Sequence, residues 1–373
     1  MLIHSIAYEG GFYEGCGFDL EHMSPNLPIN LLYYVAMNQG THLLPRVRAI
    51  RWAAPQDCEL HLLIPLISPT VRELDIDVSG CTSEASSRLL RALNYILPPD
   101  LRTFNFEVDL ETTPTEDVTA IIRQQDSLRT LKLPSCVLDP GMFKPGLQVL
   151  EAYCTVVSGL IPQQLLDTLA DTCPRLCDIR MTFSSDCNLR FDSIRPLLRC
   201  SQLIKVDLEY PGQWNLEESD IKAMGNAWPR LEALNLCCRR DYPGLESSHG
   251  IPIGMLPSFA RYLSPKLRKL ALFLNTTNVP LPPYEATPFC NLEFFAVGNS
   301  PLDTELAIFS VVAYLDAVLP TTVNHIYSKS SFPRHSGSVF QPFMPRYREN
   351  PAWGSVEKLL SKLRQEFRGD AAK

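Results

Sequence analysis

One phrase recurs along this chain: an aliphatic residue, two variable positions, a second apolar residue, one variable position and a third apolar residue. It is read at Val47/Ile50/Trp52, Val71/Leu74/Ile76, Leu101/Phe104/Phe106, Leu128/Leu131/Leu133, Leu147/Leu150/Ala152, Leu176/Ile179/Met181, Leu203/Val206/Leu208, Leu231/Leu234/Leu236, Leu267/Leu270/Leu272 and Leu292/Phe295/Val297, with a worn copy at Val323/Ile326. Successive opening residues are 19 to 36 positions apart, about 28 on average, which suits one strand and one helix per copy. A unit of that size cannot bury its own apolar side. Stacked units share a continuous core, so the pattern predicts one elongated domain over residues 45–328 with 10 to 11 repeats, where length alone, 373 residues, would suggest two globules.

Proline punctuates the pattern. Seven copies carry one two residues before the opening aliphatic, at Pro45, Pro69, Pro99, Pro145, Pro174, Pro229 and Pro265. Proline cannot continue a helix and biases the preceding residue toward extended geometry, so each one ends a helix and delivers the chain to a strand. Between the strands, helices are expected from Ser83 as N-cap to Leu97, after the capping-box spacing Thr113-Pro114-Thr115-Glu116, from Pro162, and over 191–199, 217–227, 256–263 and 304–319.

The segment Leu128-Arg129-Thr130-Leu131-Lys132-Leu133-Pro134-Ser135-Cys136-Val137-Leu138 matches the leucine-rich-repeat phrase, with Cys136 at its asparagine-or-cysteine position; 267–275 supplies the asparagine version at Asn275. The chain therefore resembles the leucine-rich-repeat family, and its irregular, proline-led copies are similar to fungal F-box proteins with such repeats. The resemblance implies an α/β fold, a ribonuclease-inhibitor-like horseshoe with parallel strands on the concave face and helices on the convex face. It also implies a substrate-recognition role, in which an F-box docks on a Skp-type linker of a cullin ubiquitin ligase and the repeats hold the target.

The resemblance covers the repeats. No F-box is recognisable in residues 1–44, where Leu27-Pro28-Ile29-Asn30 has asparagine in place of the expected glutamate. That stretch reads as an irregular N-terminal cap or the remnant of a truncated F-box. Two readings stay open: a substrate adaptor whose F-box lies outside this sequence, and a repeat-only scaffold or regulator of a signalling protein.

Composition narrows the function further. A net charge of −7 removes the basic field of a general nucleic-acid or acidic-membrane binder. Only 18 glycines, with no phosphate-loop, dinucleotide, zinc-protease or nucleophile-elbow motif, leave no sequence signal for an enzyme, a cofactor or a metal. Twelve cysteines without a paired framework and no secretory leader suit a reduced cytoplasmic or nuclear protein.

Function then falls to a surface. Side chains alternate along a strand, so the third, fifth and seventh positions of each phrase face away from the core. With strands about 4.8 Å apart, they make a platform on the order of 45 to 50 Å long, enough for a protein partner. Its first zone is acidic (Glu73, Asp75, Asp77, Asn105, Glu107), its middle mixed (Lys132, Tyr153, Arg180, Asp207), and its last apolar and aromatic (Phe273, Phe294, Tyr327). These residues are the candidate partner-binding face. After it, 329–353 reads as a basic, aromatic loop and 354–373 as an amphipathic helix that either caps the last repeat or binds a partner, with Arg364 turned to water.

Overall fold

The structure, a computed structural model, describes residues 5–9, 46–53, 57, 60, 63–108, 115–154, 162–183, 189–210, 212, 214–237, 250–263, 265–282, 288–298, 300–302, 305–323, 325–327 and 351–371. It packs as two compact units, one formed by Met1–Cys154 with Asp171–Leu176, the other by Thr155–Ala170 with Cys177–Lys373.

In the first unit six strands run parallel in chain order: β1 (Ser5–Glu9), β2 (Ala49–Ala53), β3 (Glu73–Asp77), β4 (Thr103–Glu107), β5 (Thr130–Val137) and β6 (Val149–Cys154). Five of them are the phrase copies. β1 lies within residues 1–44, pairs residue for residue with β2, and has the same spacing at Ile3/Ile6/Tyr8. In the copies of β2 to β6 phrase positions one, four and six are buried: Val71, Leu74 and Ile76, or Leu101, Phe104 and Phe106, are wholly shielded. Each such side chain contributes roughly 1.5–3 kcal/mol on leaving water. The helices α1 (Ser83–Ile96) and α2 (Thr115–Arg123) add Leu89, Leu90, Leu93, Val118, Ile121 and Ile122 to the same core.

A repeated backbone contact sets the stacking. The carbonyl at phrase position two accepts two N–H groups from the next copy: Arg48 O from Arg72 and Glu73, Arg72 O from Arg102 and Thr103, Arg102 O from Arg129 and Thr130, and Arg129 O from Gln148 and Val149. In the second unit Cys177, Ile204, Glu232 and Arg268 do the same for the copies that follow them. In five of these eight receiving copies a proline two residues before the opening aliphatic ends any preceding helix and leaves the N–H groups free for that role, and the copies opening at Leu128, Leu203 and Leu292 make the same contact without one.

The second unit repeats the plan with β7 (Asp178–Phe183), β8 (Lys205–Glu209), β9 (Ala233–Leu236), β11 (Lys269–Leu272), β13 (Phe294–Ala296) and β14 (Ile326–Tyr327), parallel in that order, while the short β10 (Ile251–Pro252) and β12 (Leu274–Asn275) pair separately. Its helices are α3 (Pro162–Thr172), α4 (Phe191–Ile194), α5 (Glu218–Ala227), α6 (Leu256–Leu263), α7 (Glu305–Val318) and α8 (Pro351–Ala371). A Cβ at Gly225 of α5 would meet the Tyr262 carbonyl of α6 at 2.4 Å, so the close approach of these helices requires glycine there. Ser300, at the asparagine position of its copy, accepts from Leu274 N at 2.7 Å and donates to Val297 O, taking the turn-bridging role.

The structure shifts several local expectations. The N-cap of α1 is Thr82, not Ser83: its hydroxyl accepts from Ala85 N at 3.4 Å, and Asp57 accepts from both its N–H and its hydroxyl at 2.7 Å. The 191–199 helix is one α turn followed by a 3-10 segment over Arg195–Arg199, since Pro196 interrupts the regular ladder. Thr113, Pro114 and residues 329–350 of the loop expected over 329–353 lie outside the described residues, and 351–353 belong to α8. In α8, Arg364 is buried instead of solvated. Its guanidinium reaches Asp316 Oδ1 at 3.0 Å and donates to the carbonyls of Val323 at 2.8 Å, Leu319 at 3.1 Å and Pro320 at 3.2 Å. It thus satisfies backbone acceptors at the C-terminus of α7. Trp353 Nε1 donates to Ser300 O at 2.8 Å, so α8 is tied to the last copies of the second unit.

Parallel strands alternating with helices in each unit make this an α/β leucine-rich-repeat solenoid. No helix among the described residues is long and apolar enough to cross a membrane.

Candidate functional site

The strand face turned away from the helices is built from phrase positions three, five and seven, and register aligns each position across strands. In the first unit position five forms the row Arg51, Asp75, Asn105, Lys132, Glu151. Asp75 is its centre. Its Oδ2 lies 3.1 Å from Arg51 Nε and its Oδ1 accepts from Asn105 Nδ2 at 2.6 Å, while the carboxylate stays about one-third exposed. Within this row Asn105 and Lys132 are half-buried; beside it Glu73 is exposed and Asp77 and Glu107 are half-buried. Asp77 Oδ1 accepts from the N–H and hydroxyl of Ser79, so one oxygen holds the turn after β3. Tyr153 is on β6, and its side chain lies outside the described ones.

In the second unit the same position runs Arg180, Asp207, Asn235, Ala271, Ala296, Tyr327. Here Asp207 Oδ2 lies 3.3 Å from Arg180 Nε, and Oδ1 accepts from Asn235 Nδ2 at 2.7 Å. Asn235 Oδ1 in turn accepts from Cys237 N at 2.9 Å. Arginine, aspartate and asparagine therefore occupy one position on three consecutive strands twice in the chain. The environments differ sharply. Asp207 is 1% exposed, and burial pushes its carboxyl up to about 6, with Arg180 opposing the shift and Glu209 adding to it. A strongly shifted acid invites a catalytic reading, but this one is shut off from water and held by an arginine and an amide.

The apolar end is also closed. Phe273 and Phe294 are 6% and 8% exposed, and Ala233, Cys237, Ala271 and Ala296 are buried with them. Tyr327, 41% exposed, stacks on Phe294 with ring centroids 4.4 Å apart. Of the candidate residues, the structure brings together Asp75 with Asn105, Arg180 with Asp207, and Phe294 with Tyr327. Arg51 and Asn235 join them, at the phrase position that they share with Asp75 and Asp207.

Among the described residues no group of three or more histidine, cysteine, aspartate or glutamate side chains is placed to hold a metal ion. Cys81, Cys173, Cys177, Cys200, Cys237 and Cys290 form no disulfide.

No protein-family model matches the chain, and no curated protein sequence matches it. Among solved structures, the Rad7 and Elc1 complex of yeast aligns with a TM-score of 0.45 and 11% identity, over 82% of this chain and 76% of that one. The leucine-rich repeat-containing protein LegL7 from Legionella pneumophila aligns with a TM-score of 0.40 and 10% identity, over 91% of this chain and 96% of that one. At that distance none of their residues or partners carries over.

Proposed function

We propose that this chain is a non-enzymatic binding protein that recognises a protein partner on the strand face of its first unit. The observation that carries this reading is the state of Asp75: it is fixed by Arg51 and Asn105 yet remains in contact with water, and is flanked by Glu73, Asp77 and Glu107. Side chains held on strands lose little freedom on binding, so such a face favours association without a large ordering cost. Its carboxylates suit a partner segment bearing lysine or arginine, while Arg51 and Lys132 impose a register that a uniformly basic partner does not meet.

The finer reading is a substrate-recognition part of an F-box adaptor, delivering that partner to a cullin-type ubiquitin ligase in the cytoplasm or nucleus. It is supported by the resemblance of the repeats alone. The second reading is a scaffold or regulator of a signalling protein with no link to ubiquitin. Tagged full-length protein expressed from its own locus separates them. Recovery of a Skp-type linker and a cullin together with the target supports the adaptor; recovery of the target without either leaves the scaffold.

A further inference from the structure

Phrase position two carries arginine in four successive copies of the first unit, at Arg48, Arg72, Arg102 and Arg129. Each directly precedes a residue that the sheet pairs in register, Ala49 with Glu73, Glu73 with Thr103 and Thr103 with Thr130, and the carbonyl of each accepts from the copy that follows. The four therefore stand at the spacing of neighbouring strands, about 4.8 Å, in a row roughly 14 Å long. Like charges opposite one another on neighbouring strands repel. Arg48, Arg102 and Arg129 are exposed, and their side chains make no ion pair or hydrogen bond among the described residues. Arg72 is half-buried and held in place: its Nη1 donates to the carbonyls of Pro69 and Val71, each at 2.9 Å, and its Nη2 lies 3.4 Å from Asp100 Oδ2.

The second unit handles the same position differently. There it reads Cys177, Ile204, Glu232, Arg268 and Glu293, and the one arginine is neutralised by the next strand. Arg268 Nε donates to Glu293 Oε1 at 3.0 Å, and its Nη2 donates to Oε1 at 2.8 Å and Oε2 at 3.0 Å. Acids are plentiful in the chain, 41 against 34 lysines and arginines, yet none occupies position two beside the four arginines of the first unit. Glu73, next to Arg72, is exposed and forms no ion pair with the row, and Asp126 is taken by Lys144 at 3.1 Å. A row of repelling, exposed arginines without internal acids has no stabilising role in the fold; it is arranged for an anion from outside.

We propose that Arg48, Arg72, Arg102 and Arg129 form a binding row for an acidic peptide segment, a run of aspartate and glutamate on a partner protein. A guanidinium fork meets a carboxylate in two parallel N–H···O bonds, which a lysine cannot do. Extended peptide advances about 3.3 Å per residue, so the row matches a run of about five residues. Position three beside it is Ala49, Glu73, Thr103 and Thr130, without an aromatic ring on which a nucleic-acid base would stack. Asp75, Asp77 and Glu107 on the adjoining face repel a long polyanion and favour a short one. The row is a contact of its own and does not rest on the strand-face reading: Glu107, at position seven, is five residues along its strand from Arg102, about 16 Å, some two Debye lengths at physiological salt.

The test is fluorescence anisotropy at about 0.15 M salt. The full-length chain is titrated into a labelled peptide of about five alternating aspartates and glutamates, into the matching asparagine–glutamine peptide, and into a thymidine oligonucleotide of equal charge. The expected result is saturable binding of the acidic peptide that weakens as salt rises, with weaker binding of the other two. Arg102→Glu combined with Arg129→Glu lowers it at least about tenfold, and Arg102→Gln combined with Arg129→Gln at least about threefold. Both positions are exposed and keep their backbone carbonyls, so the variants fold, which their melting profiles check. Arg88→Glu, on α1 and equally exposed, leaves binding within about twofold. Full binding by either double variant, equal binding of the asparagine–glutamine peptide, tighter binding of the oligonucleotide, or no saturable binding overturns the proposal.

Discussion

Asn235 donates its Nδ2 hydrogen to Oδ1 of Asp207 across 2.7 Å, inside the second unit and shut off from water. Asn105 makes the corresponding bond to Asp75 across 2.6 Å, on a face that water reaches. One arrangement of residue types thus serves two purposes. Buried, it ties neighbouring strands together; half-exposed, it holds a fixed charge at the surface.

The first prediction follows from that contrast. Asn235→Ala strips a donor from a buried carboxylate and costs roughly 1–3 kcal/mol, whereas Asn105→Ala costs less than about 1 kcal/mol because water replaces the amide. Urea unfolding of the two variants measures both. Equal losses contradict the assignment.

A second prediction concerns pH. The Asp207 carboxyl titrates near 6 in the folded chain and near 3.8 in the ordinary reference. Between about pH 4 and pH 6 the folded state keeps a proton that the unfolded state has released, so this group's contribution to stability falls as pH rises through that window. Below it both states are protonated, and above it both are ionised. Measured against Asp207→Asn, which carries no titrating group there, the wild type loses ground in melting temperature from pH 4 to pH 6 and then holds level. A difference that is flat across the window contradicts the burial of Asp207 as described.

Much of this fold is legible in the sequence because the core positions repeat. Leu74/Ile76, Phe104/Phe106 and Val206/Leu208 fall where alternation places them, and the backbone contact at position two follows from stacking alone. What the pattern does not carry is the environment of the opposite face. Asp75 and Asp207 stand at the same phrase position between the same neighbours, and only the tertiary structure leaves one wet and buries the other. Phe273 and Phe294 look like exposed anchors on alternation, and the structure encloses them. Arg364 illustrates a different limit: helical periodicity assigns it to water, but unsatisfied carbonyls at the end of α7 draw its guanidinium inward.

The third prediction rests on that arginine. Arg364→Ala removes the donor to three carbonyls and the partner of Asp316 and costs about 2–4 kcal/mol. Hydrogen exchange over residues 351–366 rises sharply as α8 loosens. Arg364→Lys does not restore protection, because an ammonium cannot reach several diverging acceptors at once. Full protection in the lysine variant contradicts this account.

A fourth prediction comes from the Gly225 contact. Gly225→Ala drives a methyl group into the Tyr262 carbonyl and lowers stability by about 1–3 kcal/mol, against the usual gain from replacing glycine inside a helix. A stabilised variant, read by thermal melting, contradicts the close helix approach.

The central claim, that the strand face of the first unit is the recognition surface, is tested by quantitative affinity capture of partners from the native cell. Wild-type protein is compared with the double variant Glu73→Lys and Glu107→Lys, and with a control that reverses charge on α1 away from that face, Arg88→Glu. The account predicts that the double variant, with an unchanged melting profile, loses its principal partner by at least about tenfold, while the control retains it. Retention of that partner by the folded double variant contradicts the account.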